Sequence, residues 1–469
     1  MKFIKEKSFY RMLMAVALPI ALQNLVVLAN SMMDTIMLGL ADDTGILLSA
    51  SSLAGQPLFL LQLFVFGLSS AGSVLTAQYW GKKDMASIRK IISIVLKIAV
   101  LVGAIVSVLV VMFPENAMRL YSDNEQRIQT GAKYLSIMGW GYVAFAFAQS
   151  LICSIRSVEL VGISFVTNLI SFAINVFLNW VLIFGNLGFP PLGIEGAAIA
   201  SLVARIVEAL VIGVYIFAID KRIGFRFRHL FSFDKTLSKD LMKNGLPVLL
   251  NELMWGLGIS VQASVLGHID YSEGDPVAAN SIMSIVQQLA TVFVFGISNA
   301  AAVIIGKSIG QNEGAKTITK ARTLQLLSVL AGLMCFVLIM LIKAPIISIY
   351  SLSAETKELA DQMITVIAFI TIFVSTSSMM IMGTLRGAGD TKFCLWAEMG
   401  CLWGVATPLS ALLGLVLKIP VPLVLIGMKL DEPLKTLLCF IRMRGSKWVR
   451  AVARDFKEET EAPLLEKAE

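Results

Sequence analysis

The sequence predicts an all-α membrane protein, with twelve transmembrane helices arranged as two pseudo-symmetric six-helix bundles. Three observations predict it: an apolar excess that no water-soluble core absorbs, basic residues confined to alternate loops, and an internal repeat. Hydrophobic residues fill 57% of the 469 positions and charged ones only 15%, and mean hydropathy is +0.79. Soluble domains run at roughly 45–50% apolar and about 25% charged, so lipid must solvate the surplus.

A helix needs about 20 mainly apolar residues to cross about 30 Å of hydrocarbon. Spans are therefore expected near 12–38, 47–79, 91–113, 132–155, 161–184, 194–219, 246–268, 277–305, 322–345, 359–384, 393–417 and 420–441. The last is the weakest, because Lys429, Asp431, Glu432 and Pro433 fall inside it, and it is expected to lie partly against protein. Near the N-terminus only Met12 to Met14 are apolar before Ala15-Val16-Ala17, too short an apolar region for a cleaved signal. This segment is expected to be a retained first span.

Lysine and arginine sort by side. Twenty-nine fall on one face, in the two tails, the connector 221–243 and alternate loops, with Arg156 and Arg386 among them. Only Arg119, Arg127, Lys133, Lys343, Lys357 and Lys418 fall on the other. Both termini and the connector are therefore expected in the cytoplasm, with the chain multi-pass in the cell membrane.

The repeat appears as 67–81 against 296–310, offset by 229, and as 18–24 (Leu-Pro-Ile-Ala-Leu-Gln-Asn) against 246–252 (Leu-Pro-Val-Leu-Leu-Asn-Glu), offset by 228. Tyr121-Ser122 matches Tyr350-Ser351, and Arg156 pairs with Arg386. Six spans per half bring both halves in from the same side, a parallel repeat that suits secondary transporters holding their substrate between the lobes. The expected organisation is an N-lobe at 1–220, a cytoplasmic linker at 221–245, a C-lobe at 246–441 and a cytoplasmic tail at 442–469.

Several classes are excluded. The net charge of +7 is spread between apolar runs and not gathered in a patch, so no nucleic acid partner is expected. The five cysteines form no C-x-x-C pair and read as small buried side chains. His229 and His268 cannot supply a metal site by themselves. The small-residue run 193–201 lacks the Gly-Lys-Ser/Thr ending of a phosphate loop, so no nucleotide is expected.

Four stretches then carry a resemblance. They are 33–39 (Met-Asp-Thr-Ile-Met-Leu-Gly), 175–185 (Asn-Val-Phe-Leu-Asn-Trp-Val-Leu-Ile-Phe-Gly), 192–201 (Leu-Gly-Ile-Glu-Gly-Ala-Ala-Ile-Ala-Ser) and 385–392 (Leu-Arg-Gly-Ala-Gly-Asp-Thr-Lys). In this order, within a twelve-span repeat, the chain resembles the MATE (multidrug and toxic compound extrusion) family from Leu18 to near Trp448. The resemblance implies an antiporter in which inward H⁺ or Na⁺ drives export of small, often cationic amphipathic compounds by alternating access. It implies no enzyme activity and no cofactor beyond the coupling ion. The partners expected are a small organic substrate and membrane lipid, and the chain is expected to work as a monomer.

Asp34 is the first candidate for ion coupling, since it sits in the outer half of the first span. Asn175 and Asn179 lie one turn apart on the fifth span at comparable depth, and Asn168 extends the same face. Ser201 lies about 10 Å below the start of the sixth span and approaches the same level. A carboxylate at mid-span costs about 2.5–3.5 kcal/mol, so it must be paired, protonated or holding a cation. Desolvation favours its neutral form, which suits a proton switch. The amide oxygens of Asn175 and Asn179 equally suit a Na⁺ shell, and no other metal is expected. The resemblance assigns ion coupling to this acid and its fifth-span partners. The offsets carry Asp34, Asn175 and Asn179 onto Gln262, Gly404 and Pro408, so the C-lobe is expected to lack an acid cluster.

Arg205 and Glu208, spaced i, i+3 on the sixth span, are expected to pair near the membrane centre. Glu252 is a further candidate on the seventh span; the acid that some relatives carry roughly a turn later is Trp255 here. Pro19 is expected to let the first span bend, whereas Pro247 is expected in the first turn of its helix. The 22 methionines and 26 phenylalanines are mostly packing, some of them suited to a forgiving cleft. Two alternatives stay open. A lipid-linked oligosaccharide flippase would need several buried basic residues, of which only Arg205 is expected, and an intramembrane enzyme would need a paired catalytic set.

Overall fold

A computed structural model describes residues 3–42, 45–232, 234–269, 274–350 and 353–454. Asp43 and the tail beyond 454 lie outside them. The chain is nearly all helix. We number the long elements α1 (Lys7–Leu40), α2 (Ile46–Gly81), α3 (Met85–Met112), α4 (Glu125–Met138 plus Gly141–Arg156), α5 (Gly162–Leu182) and α6 (Ile194–Ile219). The second half follows as α7 (Lys235–Gly267), α8 (Pro276–Gly310), α9 (Ala315–Ile349), α10 (Ala354–Leu385), α11 (Thr391–Val416) and α12 (Val421–Met428 plus Asp431–Met443). Among the described residues ten helices are long and apolar enough to cross a membrane, or eleven with α4 counted as one span. The twelfth is α12, broken in two where the charges begin.

Three local expectations are corrected. The fourth span is not straight from 132 to 155: its halves meet at 55° around Gly139. Ser107 of α3 donates to the Gly139 carbonyl at 2.8 Å, satisfying an acceptor that the bend frees. The connector does not run to 245, because α7 begins at Lys235, where the Asp234 side chain accepts from the Thr236 and Leu237 amides. Pro247 consequently lies deep inside α7 and not in its first turn. What remains of the connector is pinned, with Arg89 of α3 donating to the Ile223 carbonyl at 2.6 Å.

The lobes join along a seam that the repeat builds twice. The first half of α1, from Phe9 to Ile20, shares a core with Ala300 and Ile304 of α8, while Asp34 and Leu38 belong to the N-lobe. Its counterpart α7 does the reverse, with Leu237, Leu241 and Val248 buried in the N-lobe core and Leu266 in the C-lobe core. Pro19 and Pro247 sit where these two helices pass from one lobe to the other. A proline there removes one backbone hydrogen bond and loosens the helix at its crossing.

Paired glycines close the seam. A methyl group on Gly67 would lie 3.0 Å from the Leu249 Cα, and one on its counterpart Gly296 would lie 2.7 Å from the Ala17 carbonyl oxygen. At the basic face Gly81 and Gly310 meet each other, and a methyl on Gly310 would fall 2.0 Å from the Gln78 carbonyl oxygen. Only glycine lets these backbones touch.

The tail then crosses the same face. Gln78 of α2 accepts from the Val452 and Ala453 amides at 2.8 and 3.1 Å and donates to the Arg450 carbonyl. Arg454 grips Asp240 of α7 through two bonds of 2.6 and 2.8 Å, and Arg450 and Arg442 both pair with Asp390. Trp448 is buried beneath it.

Candidate functional site

The candidate site starts from an inverted helix. On α5 Ser164, Thr167, Asn168, Ser171, Asn175 and Asn179 are buried, with only Val181 and Leu182 beside them among the described residues, while Val166, Leu169, Ile170, Phe177 and Trp180 are exposed. In lipid this is the stable arrangement, because polar groups find partners only inside the protein.

Asn179 Nδ2 donates to Asp34 Oδ1 at 2.6 Å and to Asn175 Oδ1 at 3.0 Å. Asn175 Nδ2 in turn donates to Ser201 Oγ at 3.2 Å. The four residues chosen from the sequence thus form one continuous chain across α1, α5 and α6. Two more join it. Asn30, one turn before Asp34, donates to Asp34 Oδ2 at 3.4 Å, and the Tyr134 hydroxyl approaches Ser201 from α4. The i, i+4 spacing of Asn30 and Asp34 was a readable signal, whereas nothing in the sequence points to Tyr134. Asn175 and Asn179 are buried, and Asn179 Oδ1 has no hydrogen-bond partner among the described residues. Carboxylate, amide and hydroxyl oxygens make a hard donor set, the kind that holds an alkali or alkaline-earth cation.

Arg205 and Glu208 pair at 3.0 Å, with Glu208 buried and the guanidinium stacked 5.1 Å from the Phe145 ring centre. Arg205 lies within electrostatic reach of Asp34. Gln262 stands apart from any ion site: it donates at 2.9 Å to the Met428 carbonyl, which the break in α12 leaves free.

Glu252 faces a cavity of about 340 Å³ between the lobes. Here an expectation fails. Arg205 is only half-buried, whereas Arg386, 4% exposed, is buried, pairs with Glu252 at 2.7 Å and donates to Ser70 at 3.1 Å. Its repeat counterpart Arg156 donates to Gln23 at 2.6 Å. Both arginines were read as loop residues, but each side chain turns back from its helix end into the cavity wall.

A second expectation fails in the C-lobe, which does hold an acid cluster. Lys435 of α12 pairs with Glu398 of α11 at 2.9 Å, and with Asp431 and Glu432 at 2.9 and 2.8 Å. Ser377 of α10 donates to Glu432. The repeat offset misses this cluster because it is built on α11 and α12, away from the counterparts of Asp34 and α5. Asp431 and Glu432, two of the charges that weakened the twelfth span, belong to this cluster.

A family model described as MatE matches residues 19–181 and 249–412. The chain is 25% identical over 379 residues to "Probable multidrug resistance protein YoeA" of Bacillus subtilis, covering 79% of each chain. It is 24% identical over 439 residues to "Probable multidrug resistance protein NorM" of Thermotoga maritima, covering 93% of this chain and 92% of that one. Among solved structures, "Outward-facing conformation of a multidrug resistance MATE family transporter of the MOP superfamily" superposes with a TM-score of 0.84 at 18% identity, over 96% of this chain and 100% of that one. A MOP superfamily transporter from Pyrococcus furiosus superposes equally well, with a TM-score of 0.84 at 17% identity.

Proposed function

The chain belongs to the MatE family, and from that premise we propose that it exports small amphipathic organic compounds across the cell membrane in exchange for H⁺ or Na⁺. The basic face is cytoplasmic in this reading, with both termini on it, and the chain works as a monomer. The multidrug resistance proteins it resembles along most of their length support the export of varied compounds.

One observation carries the ion coupling: the Asp34 carboxylate accepts from Asn179 inside the N-lobe, at the head of the chain that leads to Ser201. With Asp34 ionised, the amide donors face an acceptor that needs them. Protonation gives that oxygen a donor of its own, which opposes the Asn179 N–H and asks the pair to reorganise. A Na⁺ ion would use the same oxygens, Asn179 Oδ1 with them. Both ions thus bias the contact between α1 and α5, and Pro19 lets α1 answer by bending between the lobes. The interlobe cavity, with the aromatic walls Phe59, Phe66, Trp255 and Phe295, takes the exported compound.

Efflux of ethidium from proteoliposomes, with proton and Na⁺ gradients imposed separately, tests the coupling. Asp34→Asn should abolish gradient-driven efflux while leaving ethidium binding within about threefold of the parent. Full gradient-driven transport by the neutral variant would remove Asp34 from the mechanism.

A further inference from the structure

The interlobe cavity carries an unbalanced charge. Among the described residues its only charged lining groups are Arg156, Arg386 and Glu252, two guanidinium groups against one carboxylate. Arg386 and Glu252 satisfy each other at 2.7 Å. Arg156 has no such partner: its contact is the neutral amide oxygen of Gln23 at 2.6 Å, and the repeat counterpart of Glu252 is the neutral Asn24. No carboxylate lies within ion-pair distance of Arg156 among the described residues; the nearby Glu159 is taken by Lys307 at 2.6 Å. Arg156 Nε and Arg386 Nε are both buried without a hydrogen-bond acceptor among the described residues.

A guanidinium does not shed its proton in a protein, so Arg156, half-buried in the cavity wall, stays charged and short of an anion. The remaining wall is aromatic and apolar, broken by the hydroxyls of Ser70, Ser73 and Ser157 and the amides of Asn24, Gln62 and Asn299. We propose that Arg156 makes this cavity selective for aromatic amphipaths bearing a carboxylate or similar anionic group, zwitterions included, over their neutral and purely cationic analogues. The anion docks on the free edge of the Arg156 guanidinium, and the ring system lies against Phe59, Phe66 and Trp255. The proposal rests on the reading of the cavity as the exported compound's site and narrows its substrate class. Gln23 is then the specificity switch between the lobes, since an acid there would cancel the excess charge as Glu252 does.

The test measures binding by equilibrium dialysis to the full-length protein in phosphatidylcholine nanodiscs. The probes are 7-diethylaminocoumarin-3-carboxylate and its carboxamide. A charge-assisted hydrogen bond discriminates by about tenfold or more, so the parent should bind the carboxylate at least that much tighter. Arg156→Gln should bring the two probes level, Arg156→Lys should keep part of the preference, and Gln23→Glu, which leaves the arginine in place, should erase it. Equal binding by the parent, or a preference that survives both Arg156→Gln and Gln23→Glu, overturns the proposal. Loss of carboxylate binding on adding phosphatidylglycerol also overturns it, giving the cavity to a lipid phosphate. Ethidium efflux from proteoliposomes of the same protein separates the two readings. Gradient-driven efflux without carboxylate preference sinks only the specificity, and Arg156-dependent binding without transport of either coumarin or ethidium sinks only the export reading.

Discussion

A single lysine holds the C-lobe's interior charges together. Lys435 is buried among Glu398, Asp431 and Glu432, and removing one partner from a buried ion cluster costs about 3–5 kcal/mol. Lys435→Met should therefore lower the thermal midpoint in detergent by several degrees, with Glu398→Leu added to it restoring part of the loss. An unchanged midpoint for the single variant would mean that the acids are not charged there. Asp234, outside the membrane, gives a pH signature. The Leu237 amide it accepts from, helped by Lys90, holds its carboxyl below the usual carboxylate range. Its stabilisation is thus complete above about pH 4, the ordinary aspartate value, and disappears as the pH falls through the lower folded-state value. Asp234→Asn should be less stable than the parent at pH 7, and the gap between their melting curves should close in acid. At this scale the sequence was readable wherever partners shared a helical face at matched depth, as with Asp34, Asn175 and Asn179. It was mute where partners met only through packing: Lys435 and Glu398 lie 37 positions apart on different helices, and nothing local marks Arg156 or Arg386 as turned inward.

At the scale of elements, hydropathy located the spans but could not see their breaks. The bend of α4 and the interruption of α12 are each stabilised by a hydrogen bond from another helix, Ser107 for the first and Gln262 for the second. A window sliding along one segment carries no trace of such a donor. The tail is the clearest case. The sequence marks it only as a basic cytoplasmic tail, yet it lies across both lobes because Gln78 offers one carbonyl oxygen to two successive amides. Gln78→Leu should release it. Hydrogen exchange at Val452 and Ala453 should then accelerate at least about fivefold, as expected when about 1 kcal/mol or more of local protection is lost. Protection unchanged from the parent would show that Asp240 and Asp390 hold the tail without Gln78.

For the molecule as a whole, the repeat read from the sequence proves to be the plan of the seam. The stretches 67–81 and 296–310 are alike because each supplies glycines to the same interface, seen from opposite lobes. Gly310→Val places atoms where the Gln78 carbonyl already stands, so the basic face should fail to close. Spin labels at Ala86 and Lys316 should then report a longer and broader distance distribution than in the parent. An identical distribution would show that the contact yields.

The inverted α5 has a consequence for how the protein is made. Asp34 leaves the ribosome 145 residues before Asn179. At about 5–20 residues per second, that is roughly 7–30 s of synthesis. For that interval the first helix has a carboxylate with no amide from α5 to receive, and α5 on arrival has a polar flank that lipid will not accept. Neither helix is a finished membrane segment alone. The insertion machinery must keep α1 within reach until α5 appears, so assembly of the first lobe is a single delayed event and not six successive ones.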